Sequence, residues 1–234
     1  MATERQQPQP WLYQEEPWPP DDTEESVLVG TVLHREAILD LAMGINMAAR
    51  AGLKRDEPSP WRALMQLEYL GCRRPDGSPL RTLPDLFVFR HAIDPLRGSF
   101  SLEVDGPPSL VIEVLGESTY ESDLNLERGK AHSYRGAGIP DYLVVDPTYT
   151  LLREGILGWQ LVAERYEPWQ PAADGRLYST QLPLAFALEG AQARVYLREG
   201  RPMPTEGELA ELVAERVREH DELERLRSLL AERE

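Results

Sequence analysis

Two acidic side chains stand in segments that are otherwise apolar. Asp85 opens the run Asp85-Leu86-Phe87-Val88-Phe89, and Glu113 is the one charge in Leu110-Val111-Ile112-Glu113-Val114-Leu115. A carboxylate buried without a partner is costly, or is driven to its neutral form. Two of them on neighbouring strands therefore call for a common cation. A lysine is one candidate, and a hard divalent metal, which prefers carboxylate, carbonyl and water oxygens, is the other. Lys130 follows Glu113 on the next expected helix, and a crossover would carry it back over the same sheet edge. It is one of only two lysines, the other being Lys54, in a chain whose basic residues are otherwise arginine. The three together suit metal-assisted hydrolysis. Asp85 and Glu113 would hold a magnesium-like ion that polarises a phosphoryl oxygen, and Lys130 would orient a water or stabilise charge. Plainer readings stand beside this one: an Asp after Pro84 suits a strand-edge turn, Glu113 a structural ion pair, and Lys130 a solvated helix position.

The elements that must position these residues follow from periodicity. Thr23 or Asp22 caps an expected amphipathic helix that carries Val27, Val32, Ile38, Leu41 and Ile45 and ends at Gly52, with Gly30 and Gly44 as possible interruptions. From Pro60 the period falls to two, with Trp61, Ala63, Met65, Leu67 and Tyr69 on one face, which predicts a strand. A turn at Pro75-Asp76-Gly77 and a second strand through Leu83–Phe89 follow. A third strand is expected near Ser99–Val104. Leu110–Leu115 is apolar on both sides, as a strand covered on both faces should be. Residues Asp123–Ala137 read as one helix and Tyr142–Val145 as another buried strand, which completes a right-handed crossover unit. Short strands run on to about Leu197. A final helix over 205–234 is capped by Thr205 with Glu208 three residues later, and Leu209, Leu212, Val213, Val217, Leu223, Leu226, Leu229 and Leu230 form its apolar stripe.

At 234 residues, 41% hydrophobic and 28% charged, the chain can build one core, and bulk disorder is excluded. The first twenty residues hold five prolines and read as an extended arm in which Trp11, Tyr13 and Trp18 can dock. The expected organisation is thus an arm over 1–22, a domain over 23–200 and an appended helix over 201–234. A lone cysteine, Cys72, excludes an intramolecular disulfide framework and a thiolate zinc site, and favours a reducing cytoplasm; Cys72 itself reads as a buried apolar residue. No stretch is long and apolar enough to span a membrane, and the first ten residues lack the pattern of a secretory signal. The net charge of −15 disfavours a broad phosphate-binding surface, but the acids crowd the two ends of the chain and leave the middle close to neutral.

The series Pro84-Asp85, Glu113-Val114-Leu115, Ser118-Thr119, Asp123, Lys130, Tyr134, Gly138 and Tyr142 through Asp146-Pro147 resembles the Uma family of restriction-endonuclease-like proteins, a branch of the PD-(D/E)XK nuclease superfamily. The resemblance covers about residues 25–200. It implies an α/β fold with a mixed central sheet flanked by helices, dependence on magnesium or manganese, and hydrolysis of DNA phosphodiesters. Leu115 stands where the superfamily motif places its lysine, and in the Uma-like branch that role maps onto Lys130. An acid on the first core helix is also common in the superfamily; Glu36 is the candidate, with His34 beside it. Tyr134, Trp159, Tyr166 and Trp169 read as core or edge aromatics. His91 and His132 lack the partner spacing of a helical zinc site, and Gly116–Thr119 has no phosphate-loop signature.

A metal-dependent endonuclease is the first functional expectation. A catalytically degenerate nuclease fold that acts as an assembly module is the second, and a hydrolase of small phosphorylated molecules is the third. The apolar stripe of the last helix needs cover, which predicts a homodimer with that helix in the interface.

Overall fold

The computed structural model describes residues 32–231 except 55, 56, 92 and 95, with backbone alone at 229–231. The expected arm, its aromatic residues and the start of the first helix lie outside the described residues, as do the side chains of Leu229 and Leu230. The elements are α1 (Val32–Arg50), β1 (Arg62–Met65), β2 (Glu68–Arg73), β3 (Pro79–Thr82), β4 (Leu86–Phe89), β5 (Ser99–Ser101), α2 (Leu102–Asp105), β6 (Leu110–Val114), α3 (Tyr120–Leu124), α4 (Lys130–Gly136), β7 (Asp141–Val145), β8 (Ile156–Val162), β9 (Arg165–Pro168), β10 (Leu177–Tyr178), β11 (Leu184–Glu189), β12 (Gln192–Leu197) and α5 (Glu206–Ala231). A six-stranded mixed sheet runs β1-β4-β6-β7-β8-β9, with two three-stranded sheets, β10-β11-β12 and β3-β2-β5, beside it. β6 and β7 pair in parallel across the crossover, and the other neighbours in the main sheet are antiparallel.

β6 is buried at every position, as its two-sided apolar sequence requires. Leu110, Ile112 and Val114 pack on one side with α1 and the β10–β12 sheet, in a core that includes Ile38, Leu41, Ile45, Phe186 and Val195. Val111 faces the other side, where Tyr69, Phe87, Phe100, Tyr134 and Tyr142 form a second core. At Gly44 the α1 backbone passes close to β12: a Cβ there would lie 2.9 Å from the Val195 Cβ. The glycine is therefore a packing device and leaves the helix unbroken.

Several expected elements are divided. The alternation over residues 61–69 belongs to two strands in different sheets, because the backbone turns at Gln66 with φ of 48° while its N–H bonds the Asp85 carbonyl. The strand expected through Leu83–Phe89 begins only at Leu86, after Pro84, which cannot donate to a ladder, and β3 before it is a separate strand in another sheet. The strand near Ser99 stops at Ser101, whose Oγ accepts from the Val104 N–H and caps α2. The helix expected over Asp123–Ala137 is two helices. Asn125 Oδ1 accepts from the N–H groups of Glu127 and Arg128 after α3, and Gly129 caps α4 at a point where any side chain would collide with the Ser122 carbonyl.

The link before α5 is part of the body. Met203 and Thr205 are buried, and Met203 N–H bonds the Val195 carbonyl. The Thr205 and Glu208 side chains and N–H groups exchange the two bonds of a capping box. Arg194 grips Glu208 through two nitrogens at 2.6 and 2.9 Å, and Asp40 on α1 accepts from the Glu206 N–H at 2.7 Å. Beyond that first turn α5 runs exposed.

Candidate active site

The antiparallel register of β4 and β6 pairs Leu86 with Ile112, so one further step sets Asp85 opposite Glu113. The side chains of such a pair share a sheet face. Asp85 lies at the mouth of the strand pair, and its Oδ2 accepts from the Val114 N–H at 2.8 Å. That bond continues the ladder through a side chain and fixes the carboxylate next to the Glu113 backbone.

Glu113 is 1% exposed. Its Oε1 accepts from the Tyr134 hydroxyl at 2.5 Å, and its Oε2 lies 3.5 Å from Lys130 Nζ. The same ammonium lies 3.4 Å from Asp123 Oδ1, and Asp123 is as deeply buried as Glu113. The break between α3 and α4 makes this possible: it folds Asp123 back beside Lys130, the first residue of α4, and one turn later Tyr134 reaches the same glutamate. The Tyr142 hydroxyl donates to the Asp123 carbonyl at 2.7 Å and anchors the end of α3 to β7.

His34 enters from the opposite layer. It stands four residues before Ile38 on the buried stripe of α1, so its ring reaches the end of β6. Its Nδ1 lies 3.4 Å from the Leu115 carbonyl oxygen, and its Nε2 lies 3.7 Å from Asp85 Oδ1. Burial works to lower the pKa of this imidazole, but Asp85, the Leu115 carbonyl and the charge of Asp123 outweigh it and hold His34 above its ordinary value.

Glu113 and Lys130 are thus in direct contact, and Asp85 meets them through the backbone of the next residue. Glu36 is exposed on α1, and its neighbour His34 is the α1 residue that reaches the acids. Tyr134, Trp159, Tyr166 and Trp169 are all buried, and Tyr134 additionally serves Glu113. Cys72 is buried and free, and burial pushes its thiol up to about 12. The His91 ring lies tilted beside Phe89, and His132 Nδ1 lies 2.9 Å from an Arg135 nitrogen. In the sequence Asp123 is marked only by the family resemblance, because its approach to Lys130 depends on the break between α3 and α4 and not on a helical spacing.

Two carboxylates at one lysine, with the Asp85 carboxylate fixed on the adjoining peptide, form a set of hard oxygen donors that favours added positive charge, which fits a divalent cation of the magnesium type. Among the described residues no three His, Cys, Asp or Glu groups converge tightly enough to form a complete protein cage. Ions of this type commonly take one or two carboxylates and keep water in their remaining positions. Asp85 and Glu113 are the pair that would supply them.

Comparison with known proteins adds to this geometry. One solved structure similar to this chain is titled as a putative nuclease belonging to DUF820 from Anabaena variabilis ATCC 29413; it is 16% identical, with 62% of this chain and 71% of that one covered, at a TM-score of 0.36. No curated protein matches. The family described as "Uma2: Putative restriction endonuclease" matches residues 55–204, from the approach to β1 through the packed link before α5. That segment contains Asp85, Glu113, Asp123, Lys130 and Tyr134 and spans well over half of the sequence, and the chain therefore belongs to the Uma2 family of restriction-endonuclease-like proteins.

Proposed function

We propose that the protein hydrolyses DNA phosphodiester bonds with a divalent cation, magnesium or manganese, held by Asp85 and Glu113. The observation that carries this reading is the mid-strand Glu113, buried and paired to Lys130, with Asp85 fixed on the adjoining peptide. When bound, such an ion polarises a phosphoryl oxygen and makes its water a better nucleophile. The residues of the chain do the rest. The Tyr134 hydroxyl orients the Glu113 carboxylate, and the Val114 N–H orients that of Asp85. Lys130, held between Glu113 and Asp123, keeps a fixed positive charge beside the acids for the charge that grows on phosphate in the transition state. Leu115 leaves the position of the superfamily lysine empty of charge, and Lys130 takes its part from α4.

The test is nicking of supercoiled plasmid by the purified full chain with magnesium or manganese at low salt. Asp85→Asn and Glu113→Gln should each abolish nicking with the fold retained, and Lys130→Ala should lose rate more than metal affinity. Metal-dependent nicking undiminished in Asp85→Asn sinks the assignment. A second reading, a nuclease fold kept as an assembly module, is favoured by the engagement of both Glu113 oxygens with Tyr134 and Lys130; absence of nicking with either metal would select it.

The chain is further proposed to act as a homodimer in the cytoplasm, a compartment that suits its free, buried Cys72. The support for pairing is α5, on which Leu212, Val213, Val217, Leu223 and Leu226 are each about half exposed. Because Met203 and Thr205 belong to the body, the truncation that tests this ends at Ala210. Light scattering should give a dimer for the full chain and a monomer for the truncation; equal masses refute the role of α5.

A further inference from the structure

We propose that His34 is a ligand of the divalent cation held at Asp85, with Nε2 as the coordinating atom. This inference rests on the metal-site reading above and extends it to a residue outside the segment matched by the family, on a helix from the opposite layer of the fold.

Two distances argue for it. A carbonyl oxygen only accepts, so the contact of His34 Nδ1 with the Leu115 oxygen at 3.4 Å places a proton on Nδ1. In the neutral ring the Nε2 lone pair is then directed away from that carbonyl. Metal-bound histidines characteristically use their second ring nitrogen in this way, donating to a backbone carbonyl or carboxylate that fixes tautomer and ring orientation. The second distance is that of Nε2 to Asp85 Oδ1, 3.7 Å, longer than a hydrogen bond and short enough for both atoms to reach one ion. Asp85 Oδ2 is occupied by the Val114 N–H, so Oδ1 is the oxygen turned toward His34.

The surroundings favour a cation at this point. Asp85 and Asp123 both act electrostatically on the ring, and His34 and Asp85 side chains are only 14% and 16% exposed, so the attraction is weakly screened. Placement on the apolar stripe of α1 holds the ring without a mobile loop, since Ala37, Ile38 and Leu41 of the same helix are locked in the core. An imidazole in the ligand set also changes the preferred ion. Carboxylate, carbonyl and water ligands suit both magnesium and manganese, whereas an imidazole nitrogen strengthens binding of a transition metal more than of magnesium.

The experiment uses the full chain and manganese alone, without nucleic acid. Wild-type protein with 15N-labelled histidine is loaded with Mn2+ and examined by pulsed electron paramagnetic resonance, and Mn2+ and Mg2+ affinities are measured by calorimetry. The expected result is a directly coordinated histidine nitrogen that disappears in His34→Ala, with a loss of Mn2+ affinity of at least about tenfold and a smaller loss for Mg2+. His34→Gln, which retains length and polarity, provides the same comparison if the alanine variant folds poorly, and the wild-type nitrogen coupling needs no variant. Bound Mn2+ that is lost in Asp85→Asn but shows no nitrogen coupling and no dependence on residue 34 overturns the inference and leaves the metal site standing. Failure of the wild-type protein to bind Mn2+ overturns both.

Discussion

Replacing Lys130 by alanine removes a positive charge that the two deeply buried acids Glu113 and Asp123 share. At separations of 3.5 and 3.4 Å, each attraction is about 5 kcal/mol gross at an effective dielectric of about 20. Much of that gain offsets the cost of holding three ionic groups away from water, so its sum is not the stability of the network. Truncation of one partner is the better guide, because it leaves charge buried and uncompensated, and it costs about 3–5 kcal/mol. Lys130→Ala should therefore lose about that much in urea denaturation at neutral pH in metal-free buffer. Glu113→Gln combined with Lys130→Ala removes one charge of each sign and should lose less than the sum of the two single losses, which is the coupling that the double-mutant cycle reads. Added Mn2+ should raise the midpoint of Lys130→Ala more than that of the wild type, since the ion restores the missing positive charge. A Lys130→Ala protein within about 1 kcal/mol of wild type, or a cycle without coupling, would refute the picture of Lys130 as the charge that permits this burial.

Gly129→Ala should cost about 1–3 kcal/mol in thermal or urea unfolding, because the new methyl meets the Ser122 carbonyl and pushes α3 from α4; an unchanged midpoint would show that the joint is loose. Glu208 gives a pH-dependent test. Its bidentate bond from Arg194 and the Thr205 N–H hold its carboxyl down at about 2, below the usual carboxylate range. The stabilisation it provides is thus fully present above about pH 4.5 and lost as the pH falls through about 2. With Glu208 largely open to solvent it amounts to about 1 kcal/mol or less, so the stability difference between wild type and Glu208→Gln should be constant above pH 5 and close toward pH 2. A difference independent of pH would show that the clamp is not ionic.

What could be read from the chain divides along physical lines. The two-sided apolar run at Leu110–Leu115 identified β6 because burial on both faces leaves no room for alternation, and the Thr205–Glu208 pair marked the start of α5 because capping is local chemistry. Asp85, Glu113 and Lys130 stood out by charge type in apolar surroundings. The breaks at Gln66 and at Asn125–Gly129 were hidden, since hydrophobic period continues across both while the backbone turns. Asp123 and His34 are inconspicuous in the sequence for a related reason: each is one polar residue on an otherwise ordinary helix, and only the folding of α3 against α4, or of α1 against the end of β6, brings them to the acids. The packing of residues 201–205 was obscured by their proline content, which reads as a linker until Met203 is found in the core.

α1 is tied to distant parts of the chain at three separate levels: His34 to Leu115, Asp40 to the Glu206 N–H, and the Asn46 side chain to both backbone groups of Ala63. A helix fixed in this way cannot fray independently of what it touches. Detaching it would uncover the end of β6, release the first turn of α5 and leave Ile38, Leu41 and Ile45 in water at once. Local opening is therefore expensive, and the amide hydrogens of Leu41–Ala48 should exchange at the free energy of global unfolding, together with those of β6 and β7. The end of β6 that carries Glu113 and the anchorage of the long exposed helix should consequently open as one cooperative unit.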